Sequence, residues 1–329
     1  MKFLLVVTLF FGTFLVLIPH VVYLLLKLFA LFFHFKVAYK AFGLTSLALL
    51  LCWTVVVLYG YYVGRYDYEV KRWVYEDSRV PVGFDGYRIV HISDLHMDGW
   101  KGRMNKLEEI VATINAQKPD LICFTGDLAS LSPEELEPFL STLGKLKAVD
   151  GVVSVMGNHD YFPYARVVSD SIRWQYVQQL VRMERQALGW HLLMNESRCV
   201  KREGDSIAII GVENQSVGAH PVVQRGRLSQ AMQGTDGMFR VLLSHDPSHW
   251  RKEVVGKTDI PLTLSGHTHA MQFRVCGLTP SCLFYPECDG LYMVDNQSLY
   301  VNIGLGGTIP MRVGAKPEIT VVTLRKIES

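Results

Sequence analysis

The chain has 329 residues, 49% of them hydrophobic, with 33 Lys and Arg against 31 Asp and Glu for a net charge of +2. A polypeptide of that length buries a substantial core and leaves room for two or three domains. A near-neutral balance with no Lys/Arg cluster excludes the electrostatic footprint of a nucleic-acid-binding domain.

Phe3 to Leu26 and Gly43 to Val63 carry no charged residue, and each exceeds the roughly 20 apolar residues that cross a bilayer. Two transmembrane helices are therefore expected. A cleaved signal peptide competes for the first, but its apolar region runs only about 7–15 residues and ends in a small-residue cleavage site, which this stretch lacks. Pro19-His20 interrupts the first span and Leu28 to Phe35 prolongs it past Lys27, so a kinked or longer helix is expected. Lys2 with Arg65, Lys71, Arg72 and Arg79 outnumbers Lys27, Lys36 and Lys40 between the spans. The positive-inside rule then places both termini, and the domain that follows, in the cytoplasm. Trp53 and the tyrosines at 59, 61, 62, 66 and 68 suit an interfacial aromatic belt.

From Arg65 to Asp85 the chain turns polar, with Pro81, Gly83 and Gly86, the composition of a linker. Residues 1–64 read as a membrane anchor, 65–83 as a juxtamembrane linker and 84–329 as one domain. Within that domain strand-like and helical runs alternate: Tyr87 to Ser93, then Met104 to Ala116; Leu121 to Thr125, then Pro133 to Leu146; Val152 to Met156, then Ser169 to Leu188. Further strands are expected at Trp190 to Met194, Ile207 to Val212, Arg240 to Leu243 and Leu262 to Leu264. Leu291 to Val294 and Leu299 to Ile303 form a hairpin, and Glu318 to Leu324 a last strand. The pattern is α/β, without internal repeat or low-complexity tract.

Five apolar runs stop abruptly at polar residues: Ser93-Asp94-Leu-His96, Gly126-Asp127, Gly157-Asn158-His159-Asp160, Ser244-His245 and Gly266-His267-Thr-His269. Open α/β sheets keep their ligand sites beyond the carboxyl ends of strands. Asp94, His96, Asp127, Asn158, His245, His267 and His269 are all oxygen or imidazole donors. Seven donors exceed the roughly four to six that one ion takes, and suit two divalent ions about 3.5–4 Å apart that share a carboxylate. A mixed nitrogen and oxygen set favours manganese, iron or zinc, manganese first. Glycine before Asp127, Asn158 and His267 lets the backbone turn sharply. His91, His191, His220 and His249 read as packed or surface side chains, and Asp98 as a turn carboxylate. Cys52 and Cys123 read as apolar filler. Cys276, Cys282 and Cys288 lack the spacing of a zinc site, and a disulfide among them requires an oxidising compartment. Gly304-Leu-Gly-Gly307 reads as a turn. No Walker-type loop and no His-Glu-x-x-His occurs, which removes P-loop hydrolysis and zincin proteolysis.

The ordered series Asp-x-His, Gly-Asp, Gly-Asn-His-Asp, His and Gly-His-Thr-His resembles the calcineurin-like metallophosphoesterases from Phe84 to Ser329. That resemblance implies a four-layer double β-sandwich flanked by helices. It also implies one ion on Asp94, His96, Asp127 and His269 and a second on Asp127, Asn158, His245 and His267. By the same resemblance His159 contacts the phosphate and helps the leaving oxygen depart, with Asp160 orienting it. Where some phosphatases of the superfamily carry another Asp, this chain has Ser130. Ser-His245-Asp-Pro, Gln272-Phe, Tyr285-Pro-Glu287, Gly290-Leu-Tyr292 and the tail from Asn302 to Ile319 resemble the membrane-associated branch. That branch includes YaeI- and YkuE-like phosphoesterases and the chlamydial-type UDP-2,3-diacylglucosamine pyrophosphatase. Ala270-Met271 stands where many relatives have two glycines, which narrows the approach.

The resemblance together with the anchor implies a lipid-linked phosphodiester or pyrophosphate substrate at a bacterial inner membrane, UDP-2,3-diacylglucosamine fitting a lipid A precursor step. The bilayer is the expected partner; neither nucleic acid nor an obligate protein partner is expected. Tyr164, Arg166 and Arg173 are candidates for contacting the substrate, since aromatics with arginines suit a nucleotide or sugar phosphate. The alternatives are a general membrane phosphodiesterase acting on other phospholipids or envelope substrates, and a metal-free protein-binding scaffold. The scaffold would show eroded ligands, and here all seven are intact.

Overall fold

A computed structural model describes residues 2–165, 169–217 and 223–328. Helix α1 spans Lys2–Phe33 and α2 spans Tyr39–Tyr59. α1 runs through Pro19, whose missing N–H removes one intrahelical bond, so the longer first helix is the form that occurs. Both helices are long and apolar enough to cross a membrane, and their outward side chains, Leu24, Phe32 and Val55 among them, are exposed. The helices pack as an antiparallel pair in which the Ser46 hydroxyl donates to Val16 O at 3.0 Å, the kind of polar contact that joins helices in lipid. α2 continues into a wide turn at Gly60–Gly64.

The remaining elements form two mixed sheets. Strands β1 (Glu69–Asp77), β2 (Arg88–Ile92), β3 (Leu121–Phe124), β4 (Val152–Ser154), β5 (His191–Leu192) and β12 (Glu318–Lys326) make the first, in the order β1-β12-β2-β3-β4-β5. Strands β6 (Glu196–Arg202), β7 (Asp205–Gly211), β8 (Phe239–Leu243), β9 (Leu262–Ser265), β10 (Gly290–Val294) and β11 (Gln297–Val301) make the second, ordered β10-β11-β9-β8-β7-β6. The sheets bury one face against each other, where Ile89, Cys123 and Val153 meet Ile209, Val241 and Leu264.

The outer face of the first sheet carries α3 (Met104–Ala116), α4 (Leu140–Leu143) and α5 (Asp170–Arg182). α3 presents Leu107, Ile110, Val111 and Ile114 to Val90, Ile122 and Phe124, the i, i+3, i+4, i+7 stripe of an amphipathic helix. The outer face of the second carries α6 (Leu228–Ala231) and Trp250. Helix, sheet, sheet, helix is the expected four-layer double β-sandwich.

Three segments depart from expectation. Glu69–Asp77, read as part of a linker, is strand β1, paired in parallel with β12 from Glu69↔Glu318 onward. Its charges hide the alternation: Trp73 stacks on Tyr300 at 5.7 Å and Tyr75 is buried, while Arg72 and Glu76 point outward. Outward charges are how an edge strand resists further pairing. The domain therefore begins at Glu69 rather than Phe84. Glu196–Arg202 forms a second unforeseen edge strand, joined to β7 by Glu203-Gly204, both at positive φ, as a two-residue hairpin turn requires. Pro133 to Leu146, expected as one helix, breaks into a tight turn at Pro133–Phe139 and then α4, with Pro138 inside the first part.

β2, β3 and β4 run parallel, as do β7, β8 and β9. Their carboxyl ends therefore open on the same side, and Asp94, His96, Asp127 and Asn158 from one sheet face His245, His267 and His269 from the other.

Glu184, in the turn that extends α5, is fully buried and accepts the Ser154 hydroxyl at 2.6 Å. Burial, aided by the Asp160 carboxylate, pushes its pKa from 4.5 up to about 8. A raised carboxyl favours folding fully below its unfolded pKa, and the contribution fades as pH climbs through the folded value. Between about pH 5 and pH 9 the wild type should lose on the order of a few kcal/mol that Glu184→Gln keeps. Thermal unfolding of both proteins across that range checks it.

Candidate metal centre

All seven expected donors converge. Asp94, His96, Asp127 and His269 each bring one ligand atom to within 4.8 Å of the others. His96 Nε2 lies 3.2 Å from His269 Nε2 and 3.5 Å from Asp127 Oδ2, and His269 Nε2 lies 3.3 Å from Asp94 Oδ1. On the other side of Asp127, His245 Nε2 stands 3.3 Å from the same Oδ2 and 3.2 Å from Asn158 Oδ1. His267 Nδ1 stands 3.3 Å from His245 Nε2 and 2.9 Å from Asn158 Oδ1. Two donor groups thus share one carboxylate oxygen.

The imidazoles are held with lone pairs inward. His245 Nδ1–H donates to Thr125 O at 2.7 Å, which leaves Nε2 for the cluster. His96 Nδ1 pairs with Ser130 Oγ at 3.0 Å, and His267 Nε2 pairs with Tyr285 Oη at 2.9 Å. Such partners fix the tautomer and direction of a metal-ligating histidine. Ser130, which stands where an Asp was considered, serves His96 rather than His159.

Backbone strain marks the same positions. Asp94, His96, Asp127, His267 and His269 all adopt positive φ, between 47° and 75°, a left-handed conformation that costs a residue with a Cβ roughly 1–2 kcal/mol. Strain of this kind clusters where function over-determines the backbone. Close packing adds its own demand at Gly157, where a Cβ would strike Asp127 Oδ1.

The electrostatics call for cations. Burial alone would suppress charge on His245, yet the Asp127 and Asp94 carboxylates overcome it and push its pKa up to about 10. Burial likewise opposes ionisation of Asp127, but His245 and His159 hold that carboxyl well below its usual range. Burial pushes His96 down to about 3 and His269 well below its ordinary value, so both are neutral donors. Asp94 Oδ1 is buried with no hydrogen-bond partner among the described residues. Neutral imidazoles, an amide oxygen and carboxylates around an unpartnered buried oxygen fit two divalent ions.

The donors floor a cleft of about 490 Å³, walled by His159, Tyr164, Met271, Tyr285 and Ile309. The His159 N–H donates to Asp127 Oδ1 at 2.8 Å, its ring stands edge-on to His96 at 4.8 Å, and Tyr164 lies against its other side at 4.6 Å. His159 Nδ1 has no partner among the described residues.

Two expectations change, those for Asp160 and Arg173. Asp160 does not orient His159: its carboxylate accepts four backbone N–H groups, from Gly157, Asp127, Leu128 and Ala129, at 2.8–3.0 Å. It pins the loop after β3 to the loop after β4. Burial and the Asp127 carboxylate push its pKa up to about 7, against four donors that favour the anion. Arg173 pairs with Asp170 at 2.9 Å and faces a separate cleft with Trp174 and Arg225. Arg166 lies outside the described residues. Of the cysteines, Cys282 and Cys288 form a disulfide around the Tyr285 loop, and Cys276 is free.

A double sandwich with two donor groups sharing one carboxylate at its strand ends defines a metal-dependent hydrolase. The chain belongs to the calcineurin-like phosphoesterase family, whose model matches residues 87–271. The chain is 33% identical to the uncharacterized metallophosphoesterase YkuE of Bacillus subtilis, over 81% of this chain and 90% of that one. It is 30% identical to a Danio rerio transmembrane protein with metallophosphoesterase domain, over 88% of this chain and 64% of that one. A dimetal phosphatase structure from Danio rerio aligns with 12% identity and a TM-score of 0.42, covering 69% of this chain and 90% of that one. The two apolar helices and the transmembrane relative together support membrane association.

Asp160→Ala should strand buried N–H donors at about 1–3 kcal/mol each, lowering the unfolding midpoint, with Asp160→Asn falling less; thermal unfolding at fixed metal concentration checks it. Removing the hydroxyl that steadies His267 in Tyr285→Phe should weaken metal affinity roughly 10- to 100-fold with the fold intact, read by metal titration calorimetry.

Proposed function

We propose that the protein is a membrane-anchored dinuclear-metal phosphoesterase that hydrolyses a phosphodiester or pyrophosphate bond of a lipid-linked substrate. One observation carries the substrate class: the loop that walls the metal cleft is bonded to the end of the membrane helix, Arg312 N donating to Gly60 O at 3.1 Å. A site so close to its anchor meets bilayer-resident esters before diffusing ones. Asp94, His96, Asp127 and His269 would hold one ion, and Asp127, Asn158, His245 and His267 the other, manganese, iron or zinc by their mixed donors and manganese first. Bound there, divalent ions would supply Lewis acidity that polarises the phosphoryl group and activates water.

The chain's own residues do the rest. Asp127 sets the spacing of the two donor groups through one oxygen. Water adds to phosphorus and gives up a proton to solvent as the bond to the leaving oxygen breaks, and His159 supplies the proton which that oxygen takes up and is reprotonated from solvent. Tyr164 and Tyr285 close the cleft on either side and limit the approach of bulk water.

UDP-2,3-diacylglucosamine is the leading substrate, cleaved to UMP and an acylated sugar phosphate in a lipid A precursor step, with the domain on the cytoplasmic side of a bacterial inner membrane as the lysine and arginine count favours. A second reading, a phosphodiesterase for other membrane or envelope phosphoesters outside the cytoplasm, has its own support in the Cys282–Cys288 disulfide, since disulfides persist in oxidising compartments.

Manganese-loaded protein should hydrolyse bis(p-nitrophenyl) phosphate, and Asp127→Ala and His267→Ala should each lose about a hundredfold or more in kcat; unchanged turnover would remove the assigned site. Release of UMP from UDP-2,3-diacylglucosamine would establish the leading substrate. Absence of UMP alongside turnover of the soluble ester would favour the second reading.

A further inference from the structure

The stretch from Met271 to Cys288 belongs to neither sheet and carries only two charged residues, Arg274 and Glu287. Both are neutralised within the domain, Arg274 by Asp289 at 2.6 Å and Glu287 by Arg251. Its apolar side chains point the other way. Leu278 is 78% exposed at a tight turn closed by Val275 and Leu278, Leu283 is 83% exposed and Phe284 69%. Folded proteins rarely leave large apolar side chains together in water without a partner.

Continuity with the membrane anchor identifies the partner. The turn after α2 packs on Met311–Val313: a Cβ on Gly64 would strike Arg312 O, Gly60 O accepts Arg312 N at 3.1 Å, and Arg65 reaches Pro310 O at 3.5 Å. Val313 is bonded in turn to the apolar segment, its N–H donating to Gln272 O at 3.0 Å and its O accepting from Arg274 N at 2.8 Å. Gln272 fastens the same strap from its side chain, donating to Ile309 O at 2.6 Å and Met311 O at 2.7 Å. The inner surface of this segment, at Met271, Pro280 and Tyr285, is a wall of the metal cleft. One strap therefore separates the end of the membrane span from the metal donors.

We propose that residues 271–284 form an interfacial loop whose apolar tips enter the bilayer crossed by α1 and α2, so that the cleft opens onto the headgroup layer and receives phosphoesters whose acyl chains stay in lipid. The proposal deepens the lipid-linked reading of the site and rests on it for the substrate, while the position of the loop is an independent matter. Tip burial of this kind follows buried apolar area.

The free Cys276 sits at the tip of the turn and is exposed, so it reports the loop's surroundings directly. In Cys52→Ser/Cys199→Ser full-length protein, with Cys123 buried, an NBD label on Cys276 should shift its emission to the blue in phosphatidylcholine–phosphatidylglycerol vesicles and be quenched by doxyl-labelled lipid. A label on Ser78→Cys, in a Cys276→Ser background, supplies the water reference. Absence of doxyl quenching at Cys276 overturns the proposal, whether the emission is water-like, as for a bare tip, or blue-shifted, as for a tip covered by protein.

Activity supplies the second arm. Leu278→Glu with Leu283→Glu should lower hydrolysis of phosphatidyl-p-nitrophenol in proteoliposomes roughly tenfold, with bis(p-nitrophenyl) phosphate turnover unchanged. Equal loss on both esters, or loss on neither, overturns the proposal. If wild type and Asp127→Ala are equally inactive on both esters, the phosphoesterase reading fails, and the Cys276 label still decides where the loop lies.

Discussion

Asp127 Oδ2 is the point at which the two halves of the sandwich meet chemically. His96 and His245 approach it at 3.5 and 3.3 Å from opposite sides, one from the first sheet and one from the second. A fully buried carboxylate would be strongly disfavoured unless positive charge stood beside it. Here that demand is visible in the protein itself, because His245 is pushed towards protonation at the very place where a donor lone pair is wanted. Cation binding and protonation of His245 are therefore alternative ways of satisfying one buried charge, and affinity for the ions must rise as protons are withdrawn. The sandwich is arranged to supply this: parallel strands in each sheet release their chains at the same edge, and the loops are stitched across by Asp94 N to Gly126 O and His96 N to Asp127 O.

The donors could be read from sequence because each follows a run of apolar residues long enough to be a buried strand, and because five such stops carry donors in one ordered series. The helix from Met104 to Ala116 was legible for a similar reason, its apolar stripe having an unbroken period. Edge strands were not. β1 and β6 carry charges that dilute their alternation, Lys71 paired inward with buried Glu318 and Arg72, Glu196 and Lys201 exposed. The supporting shell was equally silent: Ser130, Thr125 and Tyr285 lie 34, 120 and 18 residues from the histidines they hold, and a hydroxyl or carbonyl has no local pattern. Asp160 was misread because proximity in sequence to His159 says nothing about where its carboxylate points. Disulfide connectivity was open for the same reason: three cysteines allow several pairings, and only the fold brings Cys282 to Cys288.

Ligand positions at positive φ mean that much of the precision of this centre is backbone precision. On an extended backbone Asp94 and His96, two residues apart, would share a face but stand roughly 7 Å apart along the strand. Left-handed turns at both residues bring their donors into the same cluster. The conformational cost is carried by the hydrogen bonds and close packing around the loops, Asp160 and Gly157 foremost, so the site and the stability of the sandwich are not separable properties.

Only residues 65–68 lie between the turn after α2 and the first residue of β1, a length that even fully stretched covers about 14 Å. β1 is hydrogen-bonded into the first sheet along its whole length, so the chain passes from the apolar helices into the body of the protein almost at once. Such an attachment works as a short mast rather than a leash. With α1 and α2 in a bilayer, as proposed above, the catalytic mouth would keep a set height and bearing over the lipid plane and would reach only chemical groups held at that one depth.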